Sequence, residues 1–319
     1  MSTFATVFQP QLPLPLPKTT WQLFRTLVSG ELMPGPVWLK PSHRRKFLFR
    51  SLAMPFCTAQ YLSRLVRQPF LAQKLHMQPG LPYRLHRPWL SITLDRKQAS
   101  EAIYWHYDSF TRLLPARLLN GYLSMKGITL ALLTGKDGQT CTVRLQADAT
   151  LDKEGEATLF FCDEQETTLA RLTFTLCPFA GKNTLFIGGL QGPKSHVPHE
   201  AIHAATKICH GLFPKRLLVE TAMALAQFFA VDEIRAVSNE THIYRCLRYR
   251  KKKSQLHADY NSFWVSLGAV VDAKGDFVLP LAMPRKPMDE IASKKRAEYR
   301  RRYALLDSLH AQTAAHCQR

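Results

Sequence analysis

The sequence predicts an α+β protein: a basic helical N-terminal region, then a mostly antiparallel central sheet with flanking helices. Three observations predict it. Up to residue 87, short amphipathic runs are broken by prolines. From Gly127 to Gly192, apolar and polar residues alternate in five runs separated by turn-forming residues, as antiparallel strands require. After residue 198, helical spacing alternates with short apolar runs, so helices and strands share one layout rather than forming a repeat. The composition changes near residue 88, which divides the chain into a Pro-interrupted basic region, 1–87, and an α+β domain, 88–319.

In order, "PQLPLPLP" at 10–17 favours an extended polyproline-type arm. "TTWQLFRTLVSGEL" is a helix capped by Thr19 or Thr20, with Trp21, Phe24, Leu27 and Val28 on one face. "SHRRKFLFRSLAMPF" and "TAQYLSRLVRQPFLAQKL" give two more helices. "WLSITL" is a short strand, and "DRKQASEAIYWHYDSFTRLL" a helix. The five-strand meander follows. Residues 199–210 form a helix stopped at Gly211, and Pro214 opens the next. "EIRAVS" is a buried strand, and "YNSFWVSLGAVVDAKGDFVLPL" reads as two strands around Lys274-Gly275. A charged helix closes the chain.

Charge narrows the partners. The 319 residues carry a formal net charge of +19. Between Glu31 and Asp95 there is no acidic residue but ten Lys and Arg, interleaved with Phe, Leu, Trp and Tyr. That mixture suits helices lying in the headgroup layer of an anionic membrane. A second run, 245–253, holds six basic residues in nine. Nucleic acid is the less favoured anion, because no recognisable nucleic-acid module accompanies the charge. No run of 18 apolar residues occurs, and the proline-cut N-terminus makes a poor secretory signal, so the expectation is a cytoplasmic protein peripheral to the inner membrane. Seven dispersed cysteines without a C-x-x-C pair read as reduced thiols.

Two sets of candidate residues stand out. Gly188, Gly189, Gln191 and Gly192 at a strand end would let a ligand approach the backbone, and His203 and Lys207 lie on one face of the next helix with His199 and His210. Glu220, Asn239, His242, Asp259 and Tyr260 are the candidate acid–base groups. "HEAIH" at 199–203 spells a zinc-protease motif. Pro198 leaves His199 at a frayed helix start, unlike the long anchored helix that such sites use, so no metal is expected.

"FIGGLQGP", "AATKICHGLFPKRLL", "AVSNETH", "DYNSFW" and "LPLAMPRKPMDEIASKKRAEYRRRY", in that order, resemble the VirK/YbjX family of enterobacterial proteins over roughly residues 30–310. The resemblance implies a role in virulence and in withstanding envelope stress such as antimicrobial peptides, without implying a reaction. The strand order is in turn similar to the N-acetyltransferase superfamily. That similarity implies a coenzyme A thioester or other acyl donor, its pyrophosphate held between the central strand and the next helix. The expected activity is then transfer of an acyl or aminoacyl group to an envelope component. The alternative is a non-enzymatic factor that binds membrane or partner proteins.

Overall fold

The computed structural model describes residues 15–249 and 259–318. Most of the proposed polyproline arm and residues 250–253 of the second basic run lie outside them.

Helix α1 (Thr20–Ser29) starts in a capping box, in which the Thr19 side chain accepts from Gln22 N and the Gln22 side chain accepts from Thr19 N. Its buried face is Leu23, Thr26 and Leu27; Trp21 points outward, which corrects the face expected from spacing. α2 (Pro41–Ala53) and α3 (Pro55–Val66) each open on proline. The run expected as one helix from Thr58 to Leu75 is split: it forms most of α3, breaks at Gln68–Phe70, where Phe70 has φ 57°, and resumes as α4 (Leu71–Met77). α5 (Arg96–Leu113) is capped by Asp95, whose Oδ1 accepts from Gln98 N at 2.8 Å, and α6 (Ala116–Tyr122) follows.

The meander is β1 (Ile128–Thr134), β2 (Thr140–Gln146), β3 (Ala157–Cys162), β4 (Thr168–Phe179) and β5 (Lys182–Gln191), each strand antiparallel to the last. α7 (His199–Ile208) and α8 (Pro214–Phe228) then carry the chain across to β6 (Glu233–Ala236), which pairs parallel to β5. A parallel neighbour needs such a crossover, whereas the antiparallel pairs need only turns. β8 (Phe277–Leu279) lies antiparallel to β6, with β7 (Val270–Val271) outside it. The sheet order is therefore β1-β2-β3-β4-β5-β6-β8-β7.

Two expected strands are corrected. "WLSITL" makes only a single bridge, Ser91 with His242, because Leu90 at φ 66° breaks the extended run. "YNSFW" is helical, α9 (Tyr260–Ser266). Asp259 caps it by accepting from Ser262 N, and Trp264 is drawn into the core, its indole N–H donating to Val237 O at 2.9 Å. α10 (Ser293–Gln318) packs on α8 and β1.

One buried cluster runs from Leu23 and Trp38 through Phe174 and Phe186 to Leu309. The core is continuous across the composition change near residue 88, and helices continue past it to Tyr122 before the first strand. Arg84 ties the two regions together: its guanidinium lies 2.7 Å from Asp152 Oδ2 and donates to Glu156 Oε2 at 3.3 Å, all three side chains being buried.

Candidate site at the diverging strand ends

The single parallel step in the sheet positions the site. β5 and β6 pair from Thr184–Glu233 to Ile187–Ala236, and Val237 N donates to Ile187 O at 3.0 Å. Beyond that point β5 pairs with β4 alone. Gly188 is the extra residue of a bulge there, since Thr173 faces Gly189 while Phe174 faces Ile187.

Into this divergence projects Glu154, from the turn before β3. Its carboxylate accepts from Gln191 Nε2 at 2.7 and 2.9 Å, and Arg171 on β4 donates to the other end of the Gln191 amide at 3.1 Å. A Cβ on Gly189 would lie 1.9 Å from Glu154 Oε2, and one on Gly188 would lie 2.0 Å from Glu154 O and 2.7 Å from Leu90 Cδ1. Both glycines are therefore required by the chain's own turn. Tyr260 closes the gap from the other side: its hydroxyl accepts from Leu190 N at 3.1 Å, and its ring stacks on His242 at 5.4 Å between centroids.

His242 Nδ1 accepts from Tyr244 N at 3.2 Å, which puts the proton of the neutral ring on Nε2. That nitrogen stands 3.8 Å from Glu154 Oε1, too far for a hydrogen bond. Glu154 and His242 are both fully buried. Burial raises the Glu154 carboxyl to about 7, against hydrogen bonds from Gln191 and Tyr244 that favour its ionised form. Burial, and then the Arg245 charge, lower His242 to about 4. Burial also raises the Tyr260 and Tyr244 hydroxyls. The cluster thus holds one carboxyl that exchanges a proton near neutrality beside a neutral imidazole and two neutral phenols.

Asn239 and Asp259 serve as brackets for Tyr260. Asn239 Oδ1 accepts from Tyr260 N at 2.9 Å, and its amide donates to Asp259 Oδ1 at 3.0 Å. Asp259 is exposed, and hydrogen bonds from Ser262 and Asn239 hold its carboxyl below the ordinary range; it is a helix cap.

Gly188, Gly189, Gln191, Asn239, His242, Asp259 and Tyr260 therefore converge. Four other candidates do not join them. Glu220 lies between α8 and α10, where Arg216 Nε donates to it at 2.9 Å and His310 sits at 3.2 Å. Burial pushes Glu220 up, but those partners outweigh it and lower its carboxyl overall. His203 and Lys207 are exposed on α7, with His199 and His203 rings 5.2 Å apart, and a Cβ on Gly192 would meet nothing within 4 Å. Among the described residues no three His, Cys, Asp or Glu side chains are grouped to hold a metal, and no helix is long and apolar enough to cross a membrane.

Residues 36–315 match the family described as "Protein of unknown function (DUF535)". The chain belongs to that family. It is 50% identical over 292 residues to "Uncharacterized protein YbjX" of Escherichia coli K12, covering 92% of this chain and 88% of that one. Two proteins of Haemophilus influenzae, both described as uncharacterized, match more locally: 34% over 127 residues and 32% over 136, about two fifths of each chain. No solved structure matches. The YbjX match agrees with the resemblance carried by the five motifs.

Proposed function

We propose that this DUF535 protein works at an anionic membrane surface, on its cytoplasmic side, in the response to envelope stress, and that it transfers an acyl or aminoacyl group to an envelope component there. The observation that carries the membrane contact is apolar exposure among cations. Trp21, Phe49, Leu52 and Phe56 on α1–α3 are 68, 65, 63 and 89% exposed. Trp21 and Leu52 line one apolar groove of about 290 Å³ with Phe24 and Leu62. Lys40, Arg45 and Lys46 are exposed on or beside α2. Large side chains this open cost solubility unless something apolar covers them, and flanking cations select an anionic cover.

Group transfer is supported by the strand layout, one parallel pair diverging within an otherwise antiparallel sheet, and by the Glu154 carboxyl poised near neutrality. A donor such as a coenzyme A thioester would need room at that divergence. The second reading, a non-enzymatic accessory factor, is favoured by a specific observation: Glu154, Leu90 and Tyr260 already fill the space beside Gly188–Leu190.

Flotation with vesicles tests the first part. The protein should float with phosphatidylglycerol vesicles at low salt, and Phe49→Ser with Phe56→Ser should abolish flotation without changing the unfolding midpoint. A protein that stays at the bottom at low salt ends the membrane reading. Thermal shift with coenzyme A and acyl thioesters tests the second part. A ligand at about 100 times its Kd adds about 2.7 kcal/mol, a shift of a few degrees. Flotation without any thioester shift leaves the accessory factor.

A further inference from the structure

A second cavity, of about 770 Å³, opens on the far side of the strip Trp89–Ile92, and Arg87, Arg96, Arg248 and Cys246 line it. Its volume is that of an organic-ligand site. Arg50 lies close enough to Arg248 and Arg87 for their charges to lower its pKa, after burial, and all four guanidiniums act on His86 in the cavity wall. Among the described residues none of the four is ion-paired. The acids nearby are engaged elsewhere: Asp95, in the wall, caps α5, and Asp152 is held by Arg84 and Lys153. Arg87 lies 4.1 Å over the Tyr83 ring, which fixes it in place.

Like charges converge at a cost unless an anion joins them. An independent observation points the same way. His86 and Trp89 are 8 and 3% exposed, both line the cavity, and His86 Nδ1 and Trp89 Nε1 have no hydrogen-bond partner. A buried indole N–H can only donate, so it calls for an acceptor.

We infer that this cleft binds a phosphate-bearing ligand, with a phosphomonoester or diphosphate group on Arg87, Arg96 and Arg248 and an attached apolar or ring portion against Trp89, Ile92 and Leu94. Several guanidiniums favour a multivalent anion, and their planar fork matches phosphate oxygens in pairs. The apolar wall distinguishes the site from a bare cationic surface. The inference does not rest on membrane contact or on group transfer, since it concerns the phosphate group itself, whatever carries it.

Cys246 provides a local readout, because it is half-buried in the cavity wall, while the similarly half-buried Cys57 lines a neighbouring cavity that shares Arg96 but neither Arg87 nor Arg248. Alkylation of each cysteine is followed by mass spectrometry, with inorganic diphosphate, glycerol 3-phosphate, or vesicles of phosphatidylcholine with and without phosphatidic acid. Calorimetry gives the diphosphate affinity of the parent, of Arg96→Glu with Arg248→Glu, and of Arg45→Glu with Lys46→Glu as a charge-matched control. The expected result is slowed alkylation of Cys246 but not Cys57, and an affinity loss of about tenfold or more in the cavity variant with about twofold or less in the control. Protection by phosphatidic acid vesicles alone identifies the source as a lipid headgroup; protection by the soluble phosphates identifies a free ligand. No protection by any phosphate, or equal losses in the two variants, overturns the inference.

Discussion

Replacing Glu154 with glutamine tests whether the buried cluster holds a proton near neutrality. Burial raises this carboxyl to about 7 in the folded protein, whereas in the unfolded chain it ionises near 4.5. Below about pH 4.5 both states hold the proton and ionisation contributes nothing to the difference between them. Between about 4.5 and 7 the folded state keeps the proton and the unfolded chain releases it. Stability therefore falls as pH rises, by up to about 1.36 kcal/mol per pH unit. Above about 7 the loss is complete, on the order of 3 kcal/mol. His242 stays neutral through most of this window, because its ring is held near 4. The Glu154→Gln variant keeps the side-chain shape and an acceptor for Gln191 but cannot ionise. The assay is urea unfolding of both proteins from about pH 5 to pH 8, taking the difference in unfolding free energy at each pH so that every other titrating group cancels. The variant should gain about 2 to 3 kcal/mol relative to the parent across that range. A difference that stays flat would refute the reasoning, since it would mean that Glu154 ionises as freely inside the protein as outside it.

Other outcomes follow from the same contacts. Gly189→Ala forces a methyl group against the Glu154 carboxylate and should cost about 1 to 3 kcal/mol in urea unfolding, while Gly192→Ala, with open space around it, should stay within about 0.5 kcal/mol. Arg84→Met leaves the buried carboxyls of Asp152 and Glu156 without their shared cation; the loss should be about 3 to 5 kcal/mol at neutral pH and shrink on acidification as the carboxyls protonate.

Local signals in the chain made much of the fold legible. Alternation and turn residues marked all five strands of the meander, and the Thr19–Thr20 pair and Pro214 marked helix starts that the structure retains. The errors arose where tertiary contacts override local pattern. Trp21 continues the apolar stripe of α1 but faces outward, because Leu23 and Thr26 fit the core beside Leu27. "YNSFW" has the aromatic density of a strand, yet Asp259 caps it as a helix. The site was half legible. Glycines and polar residues at strand ends pointed to Gly188, Gly189, His242 and Tyr260. Glu154 gave no signal, because "LDKEGEA" has the composition of a solvated turn and only the bulge at Gly188 brings it inside. The Arg87, Arg96 and Arg248 cavity was visible only as diffuse charge, since its members are separated by up to 161 positions in sequence.

The strip Trp89–Ile92 decides between the two functional readings, because it separates the closed cluster from the open cationic cavity. Its inner face meets Gly188 through Leu90, and its other members line the cavity. Leu90 N donates to Lys153 O at 2.8 Å and Ile92 N to Thr241 O at 3.0 Å, and those bonds hold a backbone in which Leu90 adopts φ 66°. A left-handed leucine costs on the order of 1 kcal/mol, so the strip gives up strain when it leaves its place. A transferase must bring donor and acceptor to its base, and with Glu154 fully buried that requires the cover to open, either the strip or Tyr260 on the other side. An accessory factor needs no such motion. Native-state hydrogen exchange separates the cases. If the amides of Leu90 and Ile92, or that of Leu190 beneath Tyr260, exchange through local opening several kcal/mol below the global unfolding free energy, while Leu185 and Ile187 in β5 exchange only globally, the cluster is reachable and transfer chemistry stands. If all five exchange together, Glu154 is sealed in the folded protein, transfer at that site is refuted, and the exposed surfaces carry the function.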